Sequence, residues 1–342
     1  MSETYLLLKS NQPMRAIILK KPGDIMQMTL KDIDLPKSMT KDDIFIRHTC
    51  IGINFDDILI RKGAWEIEKD EKQKYDILGL EGVGIIEKVG SSITRFKIGQ
   101  RVGYGFAPIG AYCEKRVINA NYCVAIPEDI SDENAASILR KGLVAHSLLF
   151  RCHVPRKGQT ILVTGAGSGV GQIIVRWAKY SGLRVIGAIS SDFKKDTASA
   201  AGCDAVVNYK NLKEAIDKVS QLTDKSGVNA VYDCVGKNTF EFCIKSLHVF
   251  GTFVSYGNTS GNIPAFDPNI LEAKSLFFTK PRFELYKSNR NELVISAHEL
   301  FESYKKGAIL TNISRYNFSA IPSAHKDIEA QKVTGSVIAN IN

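Results

Sequence analysis

The sequence predicts an α/β protein in which a doubly wound parallel sheet accompanies a second, β-rich domain. Three observations predict it. The 342 residues exceed the length at which a single core usually stops growing. From Met14 to about Ile126, short alternating segments are broken by Gly, Pro and Asp. After Pro127, buried apolar runs alternate with longer helical patterns, which is typical of strand-helix units around a parallel sheet.

The first part of the chain favours strands and tight turns over helices. Strand-like runs cover Arg15–Leu19, Ile44–His48 and Val83–Val89, and glycines are frequent at their ends. The tail after Pro281 holds a helical pattern near Glu292–Lys306 and a strand-like end, which is compatible with a return to this part. We therefore expect a discontinuous domain over 14–135 and 282–342.

The middle of the chain predicts the doubly wound sheet, over 136–281. A buried strand at Thr160–Thr164 precedes a glycine run, and a helix beginning at Gln172 ends at Gly182. Further strands are expected at 184–189, 205–209, 230–236 and 251–257, with helices near 198–201 and 212–222 and another between the last two strands.

Composition points to an ordinary globular protein with anionic partners. Hydrophobic residues make up 44% and charged residues 24%, and the net charge is +9. A phosphorylated cofactor, an acidic substrate or nucleic acid would suit that charge. The seven cysteines are scattered without a CxxC pair, the apolar stretch at 5–8 is too short for a signal peptide, and no apolar run approaches the ~18 residues of a membrane span. We expect a soluble, cytoplasmic protein.

The glycine run GAGSGVG at 165–171 predicts a dinucleotide site. A strand, a glycine-rich turn and a helix present backbone N–H groups and the positive end of a helix dipole to a diphosphate. The strict GxGxxG pattern is not met, because Val170 stands where a third Gly would be. A turn that merely allows close packing is the alternative. The succession of strand-helix units favours dinucleotide binding, with the following residues as candidates: Ala166, Gly167, Ser168, Gly169, Val170 and Gly171.

The end of the second strand favours NADPH over NADH. An acidic side chain at this place usually bonds the ribose 2′-hydroxyl of NAD. Here the strand ends in Ser190 and Ser191, followed by Lys194 and Lys195, which suit a 2′-phosphate. Asp192 is the feature that opposes this interpretation, and Lys195 is better explained as a solvated helix start.

Signals for a metal site or a hydrolase are missing from the sequence. The six histidines stand alone, without HxxxH or CxxC spacing, so we expect no metal. The GxSxG and GxxxxGK[ST] patterns do not occur either, which leaves no support for a serine hydrolase or a P-loop.

Taken together, these segments resemble the medium-chain dehydrogenase/reductase superfamily, and within it the zinc-free quinone oxidoreductase branch that includes zeta-crystallin. The resemblance runs from about Met14 to Ile338. It implies a Rossmann cofactor domain, a GroES-like catalytic domain and a homodimer. The segments that carry it are GINFDDILIRKG (52–63), LGLEGVGIIEKVG (78–90), GQRVGY (99–104), GAYCEKRVI (110–118), RKGLVAH (140–146), the glycine run, NY (208–209), VYDCVG (231–236) and VSYGNTSG (254–261).

The resemblance also implies which zinc positions have changed. In zinc-dependent branches the first segment carries a cysteine ligand and the second carries Gly-His-Glu; the matching positions here are Asn54 and Leu80, with Glu81 kept. The four-cysteine lobe of those branches is missing as well. Oxidising an alcohol requires stabilisation of the developing alkoxide, which zinc supplies in the zinc-dependent branches, so without zinc an electron-poor quinone or enone is the more plausible substrate.

Site residues follow from the same resemblance. It implies Asn54 at the substrate and nicotinamide, Lys141 at the diphosphate or ribose, and Lys194 with Tyr209 at the 2′-phosphate. Lys280 stands in place of an arginine and loses its bidentate fork, and Gln331 also replaces a family arginine. The residues implied beside the nicotinamide are Tyr256, Gly257 and Ser260.

The sequence therefore leaves three candidate functions. The first is an NADPH-dependent quinone reductase that acts without zinc, and the second an NADPH-dependent enone or alkenal double-bond reductase. The third is a non-catalytic RNA-binding or structural member of the family, supported only by the +9 charge. Because no RNA-binding motif is visible, we do not expect a nucleic-acid partner.

Overall fold

The described residues, 6–7, 13–65 and 75–341 of a computed structural model, divide into two units. The first unit lies within Met1–Arg140, Lys287–Ala297 and Ile313–Asn342, and the second comprises Lys141–Tyr286 and His298–Asn312. Residues 5 and 8 of the short apolar stretch, and residues 66–74 and 342 of the expected first domain, lie outside the described residues. Within the described part of the chain, no helix combines the length and apolar character that crossing a bilayer requires.

The elements up to Ser147 are mainly strands. The strands are β1 (Leu6–Leu7), β2 (Met14–Leu19), β3 (Met28–Ile33), β4 (Ser38–Met39), β5 (Asp43–Ile53), β6 (Glu81–Val89), β7 (Arg101–Tyr104), β8 (Lys115–Asn119) and β9 (Val124–Ala125). The helices are α1 (Phe55–Arg61) and α2 (Asp132–Ser147).

From Thr160 onward, strands and helices alternate. In chain order they are β10 (Thr160–Thr164), α3 (Gly169–Tyr180), β11 (Arg184–Ile189), α4 (Lys195–Ala200), β12 (Ala205–Asn208), α5 (Leu212–Leu222), β13 (Val228–Asp233), α6 (Phe240–Ser246), β14 (Leu247–Ser255), β15 (Phe277–Thr279), α7 (Phe283–Lys287), α8 (Arg290–Lys305), β16 (Ile313–Asn317), α9 (Ile321–Glu329) and β17 (Ser336–Asn340). A short 3-10 turn at Asp192–Lys194 leads into α4.

The first unit is organised by the long strand β5. Its sheet has the order β16-β17-β5-β6-β7-β9, and β8 also pairs with β5. Strand β17 runs antiparallel to β5, with Val337 opposite Ile53. The C-terminal strand therefore returns to this sheet and covers the edge of β5 that leads into Asn54. Strand β5 is buried except at Arg47 and Thr49, although it also carries the buried polar residues Asp43 and His48.

The second unit is built on a parallel sheet with the order β12-β11-β10-β13-β14-β15. Consecutive strands run outward from β10 on one side and from β13 on the other, so the strand order reverses between these two. In doubly wound folds, ligands bind at this switch point, outside the carboxyl ends of the strands. The predicted fold class, a doubly wound parallel sheet with a β-rich domain, is confirmed.

Two features differ from the sequence expectation. Helix α1 forms inside the segment expected to hold strands and turns, because Asp56 and Asp57 in its first turn interact favourably with the helix dipole. The segment His298–Asn312 was expected with the tail, yet it is part of the second unit. There the His146 ring bonds the Glu299 carboxylate at 2.5 Å, and Leu300 covers Gly142.

Candidate active site

The glycine run forms the turn between β10 and α3. Gly165 adopts a left-handed conformation with φ of 62°, which glycine enters without steric cost. Ser168 is the N-cap of α3, and its Oγ accepts a hydrogen bond from the Gly171 N–H at 3.1 Å. The turn and the first residues of α3 therefore lie at the carboxyl end of β10, beside the switch point.

The turn leaves no space for a side chain at Gly171. A Cβ there would lie 2.1 Å from the Gly165 carbonyl oxygen, a contact that only backbone movement could relieve. At Gly167 a Cβ would meet only Lys194, at 3.3 Å from its Cβ. Ala166 is buried, and a Cβ on Gly187 of β11 would come within 2.9 Å of its methyl group. Gly171 therefore closes the turn, whereas the face of Gly167 that a Cβ would occupy is covered by Lys194.

The end of β11 brings together three of the predicted residues. The Ser190 and Tyr209 hydroxyls share a hydrogen bond, and the Tyr209 N–H donates to the Ile189 carbonyl at 3.0 Å. Burial raises the pKa of Tyr209 to about 12. Lys194 lies against Gly167, and burial lowers its pKa. Ser191 is exposed and begins the turn that leads to Lys194.

A buried carboxylate that sequence analysis missed organises the switch point. Asp233 ends β13, and its Oδ1 accepts hydrogen bonds from the Thr164 hydroxyl at 2.7 Å and the Thr239 hydroxyl at 2.8 Å. Its Oδ2 accepts the Gly236 N–H at 2.8 Å, and Oδ1 also accepts the Val235 N–H at 3.3 Å. Burial raises the pKa of Asp233, while these donors oppose the rise. The carboxylate ties β10 to the loop after β13.

The loop after β14 is joined to the loop after β13. The Tyr256 N–H donates to the Asp233 carbonyl at 2.8 Å, and a Cβ on Gly257 would lie 2.6 Å from the Cys234 carbonyl. The Ser260 hydroxyl donates to the Val235 carbonyl at 2.8 Å. Burial, followed by the Cys234 thiol beside the phenol, raises the pKa of Tyr256 well above its usual range. In this structure Tyr256, Gly257 and Ser260 thus border the switch point, and Ser260 also joins the two loops.

Two further predicted lysines belong to the second unit. Lys141 is buried in α2. Lys280 is exposed and follows β15, the last strand of the parallel sheet on the side away from β11. Strands β13 and β14 lie between β15 and β10, the strand that leads into the glycine turn.

In the first unit, Asn54 joins the end of β5 to α1 as the N-cap of the helix. Its Nδ2 donates to Glu81 Oε2 at 2.9 Å, and the second carboxylate oxygen of Glu81 accepts the Arg140 N–H at 2.7 Å. A Cβ on Gly52 would lie 2.1 Å from Glu81 Oε2, so the glycine makes room for this carboxylate. The Asn54 amide is therefore fixed in orientation by a buried acid.

Asp57 is a buried carboxyl three residues after Asn54. Its Oδ2 accepts the Asn54 N–H at 2.8 Å. Burial raises the pKa of Asp57 to about 7, although the bond from Asn54 and the charge of Arg140 oppose the rise. Tyr112 lies beside Asp57, and its hydroxyl shares a hydrogen bond of 2.9 Å with the His325 ring.

Asp57 should make stability fall as the pH rises from about 4 to 7. Its pKa is higher in the folded chain than the value of 3.8 of an unperturbed aspartate, so the folded state binds more protons in this window. Asp57→Asn should remove the effect and gain about 4 kcal/mol over wild type between pH 4 and pH 8. Urea unfolding at pH 4 and at pH 8 measures the difference in stability between the variant and the wild type. The exposed Asp42→Asn is the control, and a wild-type slope in Asp57→Asn would refute the assignment.

Metal-ligating groups are not clustered in this part of the chain. Among residues 13–65 and 75–341, no set of three or more His, Cys, Asp or Glu side chains is arranged to hold an ion. Leu80, at one of the positions that correspond to zinc ligands, is buried.

Comparison with known proteins assigns the family. Residues 40–128 match the alcohol dehydrogenase GroES-like domain, and residues 169–290 match the zinc-binding dehydrogenase domain. A quinone oxidoreductase of Pseudomonas aeruginosa is 36% identical over 86% of this chain and 90% of its own length. The chain belongs to the quinone oxidoreductase family. The resemblance drawn from the sequence segments, including the GroES-like domain, is confirmed.

Two further proteins are also similar to this chain. The crystal structure of Escherichia coli quinone oxidoreductase complexed with NADPH has a TM-score of 0.86 and 30% identity, and the match covers 96% of this chain and 99% of that one. A 2-haloacrylate reductase of a Burkholderia species is 31% identical over 86% of this chain and 89% of its own length.

Proposed function

We propose that this protein is an NADPH-dependent quinone oxidoreductase that transfers reducing equivalents to a quinone without zinc. The observation that carries the proposal is the contact between Lys194 and Gly167. The Cβ and Cγ of Lys194, a lysine that follows the second strand, lie against Gly167, and the strand itself is followed by two serines. The E. coli relative that was solved with NADPH supports the choice of coenzyme.

The residues present fit a dinucleotide with a 2′-phosphate. The glycine turn and the start of α3 would hold the diphosphate through backbone N–H groups and the positive end of the helix dipole. Ser190, Lys194 and Tyr209 would hold the 2′-phosphate through hydroxyl and ammonium donors. When bound, the dihydronicotinamide ring supplies a hydride. We propose further contacts from Lys141, the loop residues 256, 257 and 260, and the more distant Lys280.

Independence from zinc is proposed from the chemistry of two positions. A zinc ligand needs a thiolate, imidazole or carboxylate. Asn54 presents an amide whose Nδ2 is bonded to Glu81, and Leu80 presents a buried hydrocarbon side chain. Neither side chain suits the ion, so we propose that Asn54 instead contacts the substrate and orients its carbonyl group.

Organisation, assembly and location are proposed from the family membership. We propose that 136–281 binds the coenzyme and that 14–135 with 282–342 binds the substrate. The expected partner is a small molecule, with a second copy of the chain forming a homodimer in the cytoplasm. We propose no nucleic-acid partner for this protein.

Turnover with two acceptor classes tests the function. Purified protein should oxidise NADPH when benzoquinones or naphthoquinones are supplied, followed by loss of absorbance of the reduced nicotinamide. Added zinc and a chelator should leave the rate unchanged. Failure with every quinone of the panel would refute the proposal.

A double-bond reductase is the second candidate, because the 2-haloacrylate reductase is a relative of similar identity. In that reaction an activated carbon would accept the hydride in place of a quinone. Rates on a short enal and on 2-chloroacrylate, compared with a quinone under the same conditions, separate the two candidates. Faster turnover of the alkenes would favour the second.

A further inference from the structure

Asp192 is an exposed carboxylate in the region assigned to the 2′-phosphate. It follows Ser190 and Ser191 and begins the 3-10 turn that ends at Lys194. An acid near the end of the second strand normally bonds a 2′-hydroxyl and repels a 2′-phosphate. Binding of NADPH therefore requires that this carboxylate be kept away from the phosphate.

A hydrogen bond holds the carboxylate in one place. Asn208 Nδ2 donates to Asp192 Oδ1 at 2.9 Å. The other end of the same amide, Oδ1, accepts the Lys210 N–H at 2.9 Å. Because the backbone of Lys210 occupies the carbonyl end, the NH₂ end of Asn208 faces Asp192.

The strand order shows on which side of β11 the carboxylate is held. Asn208 ends β12 and lies opposite Ile189, the last residue of β11. Strand β12 is on one side of β11, and β10 with the glycine turn is on the other. The carboxylate of Asp192 is thus bonded on the β12 side, whereas Lys194 contacts Gly167 on the glycine-turn side. The two ends of this short turn therefore contact neighbours on opposite sides of β11.

We propose that Asn208 is a positioning residue that determines specificity for 2′-phosphorylated dinucleotides. By bonding Asp192, it withdraws a negative charge from the 2′-phosphate and leaves Lys194 on the ligand side. The inference rests on the proposed function, since it concerns the same coenzyme. Without Asn208, the carboxylate of Asp192 gains the freedom to approach the phosphate and repel it.

Dissociation constants for NADPH and NADH, measured by quenching of protein fluorescence, test the proposal. Asn208→Leu removes the donor at similar size and should weaken NADPH roughly tenfold, the cost of a like charge a few ångströms away near the surface. NADH affinity should stay within about twofold of wild type, since it carries no 2′-phosphate. Adding Asp192→Ala to Asn208→Leu should restore NADPH binding, because the repelling charge is gone.

Controls separate specificity from folding. Asn211→Leu makes the same change three residues along the chain, where the amide bonds Glu214 at 2.6 Å, and should leave the NADPH-to-NADH ratio unaltered. Asn208→Ser is measured in parallel, so that a misfolded leucine variant does not leave the question open; melting temperatures report the fold.

Two results would overturn the inference. An unchanged ratio in both Asn208 variants, or no recovery in the double variant, overturns the role of Asn208 while NADPH preference in wild type still supports the proposed function. A wild-type preference for NADH overturns both.

Discussion

Replacing Gly171 with alanine should abolish most coenzyme-dependent activity and destabilise the second unit. The new Cβ would lie 2.1 Å from the Gly165 carbonyl oxygen, and neither atom belongs to a movable side chain. We expect a loss of about 3 kcal/mol in the free energy of unfolding from overpacking. Displacement of the turn should lower kcat/KM for NADPH on the order of 100-fold. Urea unfolding and steady-state kinetics measure the two effects.

Gly167→Ala is the matched comparison within the same turn. Its Cβ would meet the Lys194 Cβ at 3.3 Å, which a small shift relieves, so stability should remain close to wild type. The methyl group would push Lys194 away from the turn and should weaken NADPH binding roughly tenfold, or about 1.4 kcal/mol. If Gly171→Ala kept full stability, or Gly167→Ala bound NADPH normally, the description of this turn would be wrong.

Replacing Asp233 with alanine should cost about 3 to 5 kcal/mol of stability, because it removes a buried, fully bonded carboxylate. The Thr164 and Thr239 hydroxyls and the Gly236 N–H would lose their acceptor in an interior where water cannot replace it. The loops that border the switch point should loosen as well. Chemical unfolding measures the loss of stability, and amide hydrogen exchange at 234–239 measures the local change.

Two control variants test whether the loss of stability comes from the buried Asp233 carboxylate. Asp233→Asn keeps the oxygen that accepts from Thr164 and Thr239, so it should lose clearly less than the alanine variant. Asp204→Ala removes a partly exposed carboxylate that accepts the Val185 N–H and pairs with Lys179 at 2.7 Å; it should cost about 1 kcal/mol or less. Equal losses in Asp233→Ala and Asp204→Ala would contradict the role of the buried carboxylate.

The sequence predicted the second unit well because its signals are local. A buried strand, a glycine turn and a capped helix are each encoded within a few residues, and the strand Thr160–Thr164 and the helix Leu212–Leu222 match the structure. At the end of β11, Ser190 and Tyr209 are hydrogen-bonded to each other, and the role of these two residues and Lys194 at a 2′-phosphate stays a prediction. Strand β15 was missed because its three residues are too few to show an alternating pattern.

Residues whose role depends on distant partners were beyond local patterns. Asp233 is bonded to Thr164, 69 positions earlier, and Glu81 joins Asn54 to the Arg140 backbone. Nothing in the spacing of such residues shows that they meet. Asp192 is a related case, since its charge alone opposed NADPH and only the bond from Asn208 shows where the carboxylate lies. An acid immediately before a buried glycine loop, as in VYDCVG, is the signal that could have indicated Asp233.

Coenzyme titration tests the central claim, that the glycine turn and Lys194 bind a 2′-phosphorylated dinucleotide. Wild-type protein should bind NADPH roughly 10- to 100-fold more tightly than NADH, as expected for one or two charge-assisted hydrogen bonds. Lys194→Ala should remove about tenfold of that preference without weakening NADH, and the exposed Lys195→Ala should not change it. Equal or tighter binding of NADH by the wild-type protein would contradict the account.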